Sequence, residues 1–79
     1  MSTEETHLIK VTGTVVYKAL ETGFWGIVGD DGFDYRPTDL PQKARKEGLR
    51  VTAELEVVAA LSMMMWGMEA KIVRIDIIN

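Results

Sequence analysis

The stretch "GFWGIVGDDG", residues 23–32, decides the fold, because it joins aromatic and β-branched residues to a double aspartate that precedes a glycine. An Asp-Gly pair between two β-rich runs favours a tight turn with positive φ, and therefore predicts a β-hairpin. We predict "FWGIVG", before the turn, as the second strand and "FDYRP", after it, as the third. Pro37 ends the third strand, because proline cannot donate to a ladder of hydrogen bonds.

Alternation of apolar and polar residues predicts three further strands. The first is "HLIKVTGTVVYKAL", residues 7–20, in which Gly13 indicates the bulge or bend that a strand needs to curl into a small barrel. The fourth is "LRVTAELEVVAAL", residues 49–61, with one face in water. The fifth is "EAKIVRIDII", residues 69–78, whose last isoleucines fit the core alternation less regularly than the residues before them.

The connection between the third and fourth strands predicts a short helix. The segment "PQKARKEG", residues 41–48, reads as about two helical turns that stop at Gly48. Five short strands with one helix in this position favour an all-β, OB-type barrel, with an SH3-like barrel as the alternative. We expect the barrel to occupy residues 7–79 as a single domain, and the polar residues 1–6 to form a disordered tail.

Composition narrows the class of protein. The chain has 79 residues, a formal charge of −3 and no cysteine, which excludes disulfides, thiol catalysis and cysteine-based zinc sites. An acidic chain gains no global attraction to an anionic polymer, although a local basic surface can still exist. The N-terminus shows no secretory signal, and the longest apolar-rich run, residues 57–65, is too short to cross a bilayer. We therefore expect a soluble cytoplasmic protein without membrane contact.

The sequence contains no arrangement typical of catalysis or metal binding. His7 is the only histidine and lies beside the predicted tail, and Asp30 and Asp31 are adjacent turn residues whose side chains point apart. There is no nucleophile–base pairing, no pair of carboxylates at a useful spacing and no phosphate-binding glycine loop. We predict a protein that is not an enzyme and that has no cofactor and no metal.

In the order of its features the chain resembles a cold-shock domain, the minimal OB-fold that binds nucleic acid. The resemblance spans residues 9–57 and is carried by "VTGTVVY", "GFWGIV", "DDG", "FDYRP" and "EGLRV". The sequence departs from that pattern at Gly26, where a second aromatic residue would stand, at Thr22 in place of a lysine, and at Arg36 in place of a histidine. Together with "DLP" and "MWG", the same segments are also similar to small OB-like modules of prokaryotes, and this second similarity implies no activity.

The hairpin supplies the candidate nucleic-acid-binding residues. Aromatic side chains on it can stack bases, or they can fill the core and shield an edge, and the alternation leaves open whether Trp25 points in or out. The segment that follows is the one locally basic region; it can contact phosphates, or it can be a solvated helix face. The candidates for binding single-stranded DNA or RNA are Phe24, Trp25, Phe33, Tyr35, Arg36, Lys43, Arg45, Lys46 and Arg50.

The segment "SMMMWGM", residues 62–68, supports a second hypothesis. Methionines around a tryptophan form an adaptable apolar surface, which suits a partner if it is exposed and caps the barrel if it is buried. The alternative function is therefore a protein-interaction or homo-oligomerisation module, whose homodimer or partner contacts Met63, Met64, Met65 and Trp66.

Overall fold

Four antiparallel strand pairings and one parallel pairing close the chain into one small barrel. The computed structural model describes residues 6–20, 22–58 and 66–78. The strands are β1 (Thr6–Lys18), β2 (Phe24–Gly29), β3 (Asp34–Pro37), β4 (Arg50–Val58) and β5 (Met68–Ile77). Their order around the barrel is β1-β2-β3-β5-β4, with β3 parallel to β5 and all other neighbours antiparallel. The predicted all-β, five-stranded OB-type barrel is confirmed, and β1 begins one residue earlier than expected.

Strand β1 pairs with two neighbouring strands, β4 and β2. Its residues 6–14 pair with β4 and its residues 13–18 pair with β2, so the two ladders overlap at Gly13 and Thr14. A Cβ added at Gly13 would lie 2.5 Å from the Val28 carbonyl oxygen and 2.9 Å from Ile27 Cγ2. Glycine at this point lets β1 and β2 approach each other closely where β1 changes partners.

The core follows the alternation of the strands. Val15, Ile27, Val51 and Leu55 are fully buried, and each such apolar side chain contributes roughly 1.5–3 kcal/mol through its burial. Trp25 packs against this core from the barrel wall. Alternate residues of β1, β2 and β4 therefore fill the barrel.

The β2–β3 turn has the predicted conformation. Gly32 has φ 89°, a value that residues with a side chain rarely adopt. The carboxylate of Asp31 closes the turn by accepting a hydrogen bond from the Phe33 backbone N–H at 3.0 Å. The hairpin register follows, with Ile27 opposite Tyr35 and Val28 opposite Asp34.

The connection before β4 differs from the prediction. Only Gln42–Ala44 form a helix, and it is a single 3-10 turn rather than about two turns of α-helix. The residues after it are tied to β1 instead: the Glu47 carboxylate accepts a hydrogen bond from the Tyr17 backbone N–H at 2.7 Å, and the Gly48 N–H donates to the Val15 carbonyl at 2.8 Å. These contacts replace the hydrogen bonds that would continue a helix.

Strand β5 contains an irregularity that explains its uneven alternation. Leu55 pairs with Ile72 and Glu54 pairs with Arg74, so Val73 has no opposite residue on β4. One extra residue reverses the phase of the side chains. Ile72 and Ile75 therefore both pack against the core. No helix in the described part of the chain is long and apolar enough to span a membrane.

Candidate nucleic-acid interface

Two aromatic rings lie side by side on the outer surface of β2. Phe24 is the first residue of β2, and Trp66 directly precedes the glycine that leads into β5. Their ring centroids are 5.9 Å apart with an interplanar angle of 39°, and both side chains are partly exposed. Two neighbouring rings of this kind offer π-faces to a planar ligand.

The Trp66 ring packs directly over a glycine of β2. A Cβ added at Gly26 would lie 2.7 Å from Cη2 of the Trp66 indole and closer still to Cζ3, so any side chain there would displace the ring. Position 26 is where the cold-shock pattern has its second aromatic residue. In this chain the strand carries no side chain at that position, and an indole from the β4–β5 connection lies over it.

Two cations flank the rings. Lys18 pairs with Phe24 across the β1–β2 ladder, and its ammonium nitrogen lies 5.1 Å from the centroid of the Trp66 ring. The Arg36 guanidinium carbon lies 5.9 Å from the centroid of the Phe24 ring. Both distances fall within the range of cation–π attraction. We call Lys18, Phe24, Arg36 and Trp66 the aromatic patch.

Glu69 borders the aromatic patch. A carboxylate oxygen of Glu69 lies 3.9 Å from a terminal nitrogen of Arg36, and the Glu69 side chain is 54% exposed. An exposed ion pair at this distance contributes little to stability. Arg36 Nε is buried and has no hydrogen-bond partner among the described residues. The guanidinium is thus held beside the Phe24 ring by packing more than by hydrogen bonds.

Tyr35 does not lie in the aromatic patch, and its predicted role in stacking is wrong. The residue is 2% exposed, and its hydroxyl donates a 2.7 Å hydrogen bond to the Asp31 carboxylate. Burial, together with that hydrogen bond, raises the pKa of Tyr35 to about 12. The hairpin register places Tyr35 opposite Ile27, on the face that forms the core.

Trp25 and Phe33 lie apart from the Phe24–Trp66 pair. Trp25 packs against the core and contacts Tyr17 edge to face, at a centroid distance of 5.2 Å. Phe33 is 57% exposed beside the hairpin turn and its carbonyl accepts a hydrogen bond from the Gly29 N–H. Gly29 is five residues from Phe24, about 16 Å along β2. The aromatic residues of the hairpin therefore lie in three environments: Phe24 in the aromatic patch, Trp25 and Tyr35 at the core, and Phe33 in solvent beside the turn.

The basic side chains of the segment predicted to contact phosphates lie in different environments. Arg50 donates two hydrogen bonds to the Asp30 carboxylate, at 2.9 and 2.6 Å, and a third to the Thr14 hydroxyl. The hydrogen bonds with Arg50 lower the pKa of Asp30. Arg45 Nε donates to the Leu40 carbonyl at 2.9 Å. Lys43 and Lys46 are exposed on the connection before β4.

Residues 63–65, the predicted methionine interface, lie outside the described residues, while Trp66 lies in the aromatic patch. Lys18 is the patch residue that sequence reasoning missed. Its position opposite Phe24 follows from the alternation of two antiparallel strands and a short loop, so the signal was present. Within the described ranges, no group of three or more histidine, cysteine or carboxylate side chains is placed to hold a metal ion.

Comparisons with protein-family models, with curated protein sequences and with solved structures found no match to this chain.

Proposed function

We propose that this protein is a non-catalytic, cold-shock-like module that binds single-stranded DNA or RNA on the aromatic patch. The supporting observation is the Phe24–Trp66 pair on the outer surface of β2, with its centroids 5.9 Å apart. OB-type barrels commonly bind oligonucleotides on the face of strands 2 and 3 and on the loops beside it. Bases stack on aromatic side chains whatever their sequence, so the ligand is a class of polymer rather than one sequence.

Local charge supports the same proposal. The whole chain carries −3, but Lys18 and Arg36 place two positive charges beside the rings, and Glu69 offsets one of them. A phosphate backbone that follows stacked bases would pass within reach of these cations. We expect weak binding with a shallow dependence on salt, since the number of phosphates neutralised sets the slope. We place this activity in the cytoplasm, as the cysteine-free sequence suggests.

The test compares three substitutions in a binding assay. We would measure the fluorescence anisotropy of labelled DNA and RNA oligonucleotides of about 10 nucleotides, a length within the site sizes of single OB folds. Phe24→Ala and Trp66→Ala should each weaken binding about 5- to 150-fold, the loss expected for one stacked base. Lys18→Ala should reduce the salt slope by about 1.

Phe33→Ala is the matched control, because it removes an exposed phenylalanine of the same hairpin outside the Phe24–Trp66 pair. It should leave the affinity unchanged. Failure of the folded wild-type protein to bind either oligonucleotide at low salt would overturn the proposal. Equal losses from Phe24→Ala and Phe33→Ala would place the contact elsewhere on the hairpin. The methionine-edge interaction module stays a prediction, since residues 63–65 are not described.

A further inference from the structure

Among the described residues, the second half of β5 has a neighbouring strand on one side only. Barrel closure pairs just Met68–Ala70 with β3. Two more hydrogen bonds extend this contact, from the Thr38 N–H to the Ala70 carbonyl and from the Ile72 N–H to the Asp39 carboxylate. Residues 74–77 then pair with β4, and no strand of the described chain pairs with the other edge of residues 73–77.

The phase of the β4–β5 ladder shows which backbone groups face this edge. The Ile78 N–H donates to the Arg50 carbonyl at 3.0 Å, so these two residues form a hydrogen-bonded pair. In an antiparallel ladder such pairs alternate with pairs whose backbone groups point away from each other. Ile77 and Ile75 occupy the second kind of position. Their N–H and C=O groups therefore point away from β4, toward the unpaired edge.

We propose that a second copy of this chain pairs with the edge, strand to strand and antiparallel, about a two-fold axis at Ile75. The unpaired window runs from residue 73, just beyond the Asp39 contact, to residue 77, where the strand ends. It is five residues long and has Ile75 at its centre. An axis at Ile75 brings Ile75 and Ile75 of the partner subunit together as a hydrogen-bonded pair, which matches the phase of the edge.

The charged side chains of β5 favour the same position for the two-fold axis. With the axis at Ile75, Arg74 lies opposite Asp76 of the partner subunit, and the symmetry repeats this contact once more. Both side chains are exposed, and within one chain they already form a 3.2 Å ion pair. An axis one residue away, at Arg74 or at Asp76, would place identical charges directly opposite each other, which destabilises a sheet. Only the Ile75 axis pairs opposite charges.

The same register covers exposed apolar residues. Val73 is 57% exposed and Ile77 is 40% exposed, and they lie at the two ends of the window along which the second copy would be added. Strand addition at an edge gains main-chain hydrogen bonds, while side-chain pairs give it specificity. The aromatic patch lies at the other end of β5, next to Trp66, and this dimer is independent of the proposed function.

The test is a charge exchange followed by sedimentation velocity over a wide range of protein concentration. Wild-type protein should show a monomer–dimer equilibrium. Arg74→Asp and Asp76→Arg should each weaken dimerisation about tenfold or more, because each creates two like-charge contacts. The double variant, Arg74→Asp with Asp76→Arg, should restore the dimer. Circular dichroism would verify that every variant is folded.

Two further variants separate this interface from others. Lys71→Asp makes a comparable charge change on β5 outside the window and should leave the dimer intact. Met64→Glu should also leave it intact, whereas a dimer lost in that variant would point to the methionine edge. A wild-type protein that stays monomeric at every concentration would overturn the proposal. The proposal would also be overturned if neither single substitution weakened the dimer, or if the double variant did not restore it.

Discussion

At the scale of single residues, Tyr35 shows how one side chain joins the hairpin turn to the core. Its ring fills the barrel, while its hydroxyl reaches back to Asp31, whose other carboxylate oxygen accepts the Phe33 N–H. The turn and the core are thus coupled through one carboxylate. A buried phenol with a hydrogen-bonded carboxylate resists losing its proton, because burial disfavours the charged form.

This coupling predicts a specific loss of stability at alkaline pH. The folded state raises the pKa of Tyr35 from its ordinary value near 10 to about 12, so the unfolded chain releases this proton first. The stabilisation is complete below about pH 10 and is lost as the pH rises toward 12. We expect Tyr35→Phe to cost about 1 kcal/mol at pH 7, the net value of one hydrogen bond, and to lack this alkaline loss.

Urea unfolding followed by circular dichroism between pH 7 and about pH 12 would measure both effects. Tyr17→Phe is the control, since Tyr17 is a half-exposed tyrosine on β1. It should retain the alkaline decline of the wild type. An identical decline in Tyr35→Phe and the wild type would contradict the assignment of this proton to Tyr35.

At the scale of the elements, the outer surface of β2 and the start of β5 are joined by one ring placed over one glycine. Gly26→Ala should keep the strand, because the backbone there needs no positive φ, but its methyl group would occupy the position of the Trp66 indole. We expect the ring to move away from β2, with a red shift of tryptophan emission and weaker oligonucleotide binding. A steady-state emission spectrum and the anisotropy assay would measure the two changes.

Val28→Ile provides the comparison, because it adds one methyl group to the same outer face of β2 at an exposed position. It should change neither the emission spectrum nor the affinity. If Gly26→Ala binds oligonucleotides as tightly as the wild type, then the contact between Trp66 and β2 does not shape the binding surface.

Local signals in the sequence were sufficient for the strands and the hairpin turn. Alternation identified β1 and β4, and the Asp-Gly pair identified the turn that places Gly32 at positive φ. Local signals were not sufficient for the connection before β4, where hydrogen bonds to distant β1 replace a second helical turn. Helix propensity depends on the residues of the segment itself. It therefore does not include the competing hydrogen bond with Tyr17, which lies 30 residues from Glu47 in the chain.

The aromatic patch was predictable only in part, for a similar reason. Phe24 and Arg36 follow from the hairpin, and Lys18 could have been found from its register with Phe24. Trp66 could not, because it lies 40 residues beyond Gly26 and reaches that glycine only after the barrel has closed. The two regions that the sequence offered as rival sites, the hairpin and the segment around Trp66, meet on one surface in the folded chain.

At the scale of the whole molecule, an acidic barrel carries a small cationic and aromatic surface and, elsewhere, a strand edge with which no described strand pairs. The first is defined by Lys18, Phe24, Arg36 and Trp66, and the second by residues 73–77. If both proposals hold, a dimer would carry two aromatic patches. Two linked sites raise the apparent affinity for a polymer long enough to reach both.

The most direct test of the central claim is a nuclear magnetic resonance titration of the ¹⁵N-labelled protein with single-stranded RNA or DNA. The two tryptophans provide an internal comparison, because Trp66 lies on the outer surface of β2 and Trp25 packs against the core beside Tyr17. We predict that the indole N–H signal of Trp66 and the amides of Phe24 and Gly26 shift together, while the Trp25 indole signal moves little. No shift of the Trp66 signal at saturating oligonucleotide, or shifts confined to residues remote from the aromatic patch, would contradict it.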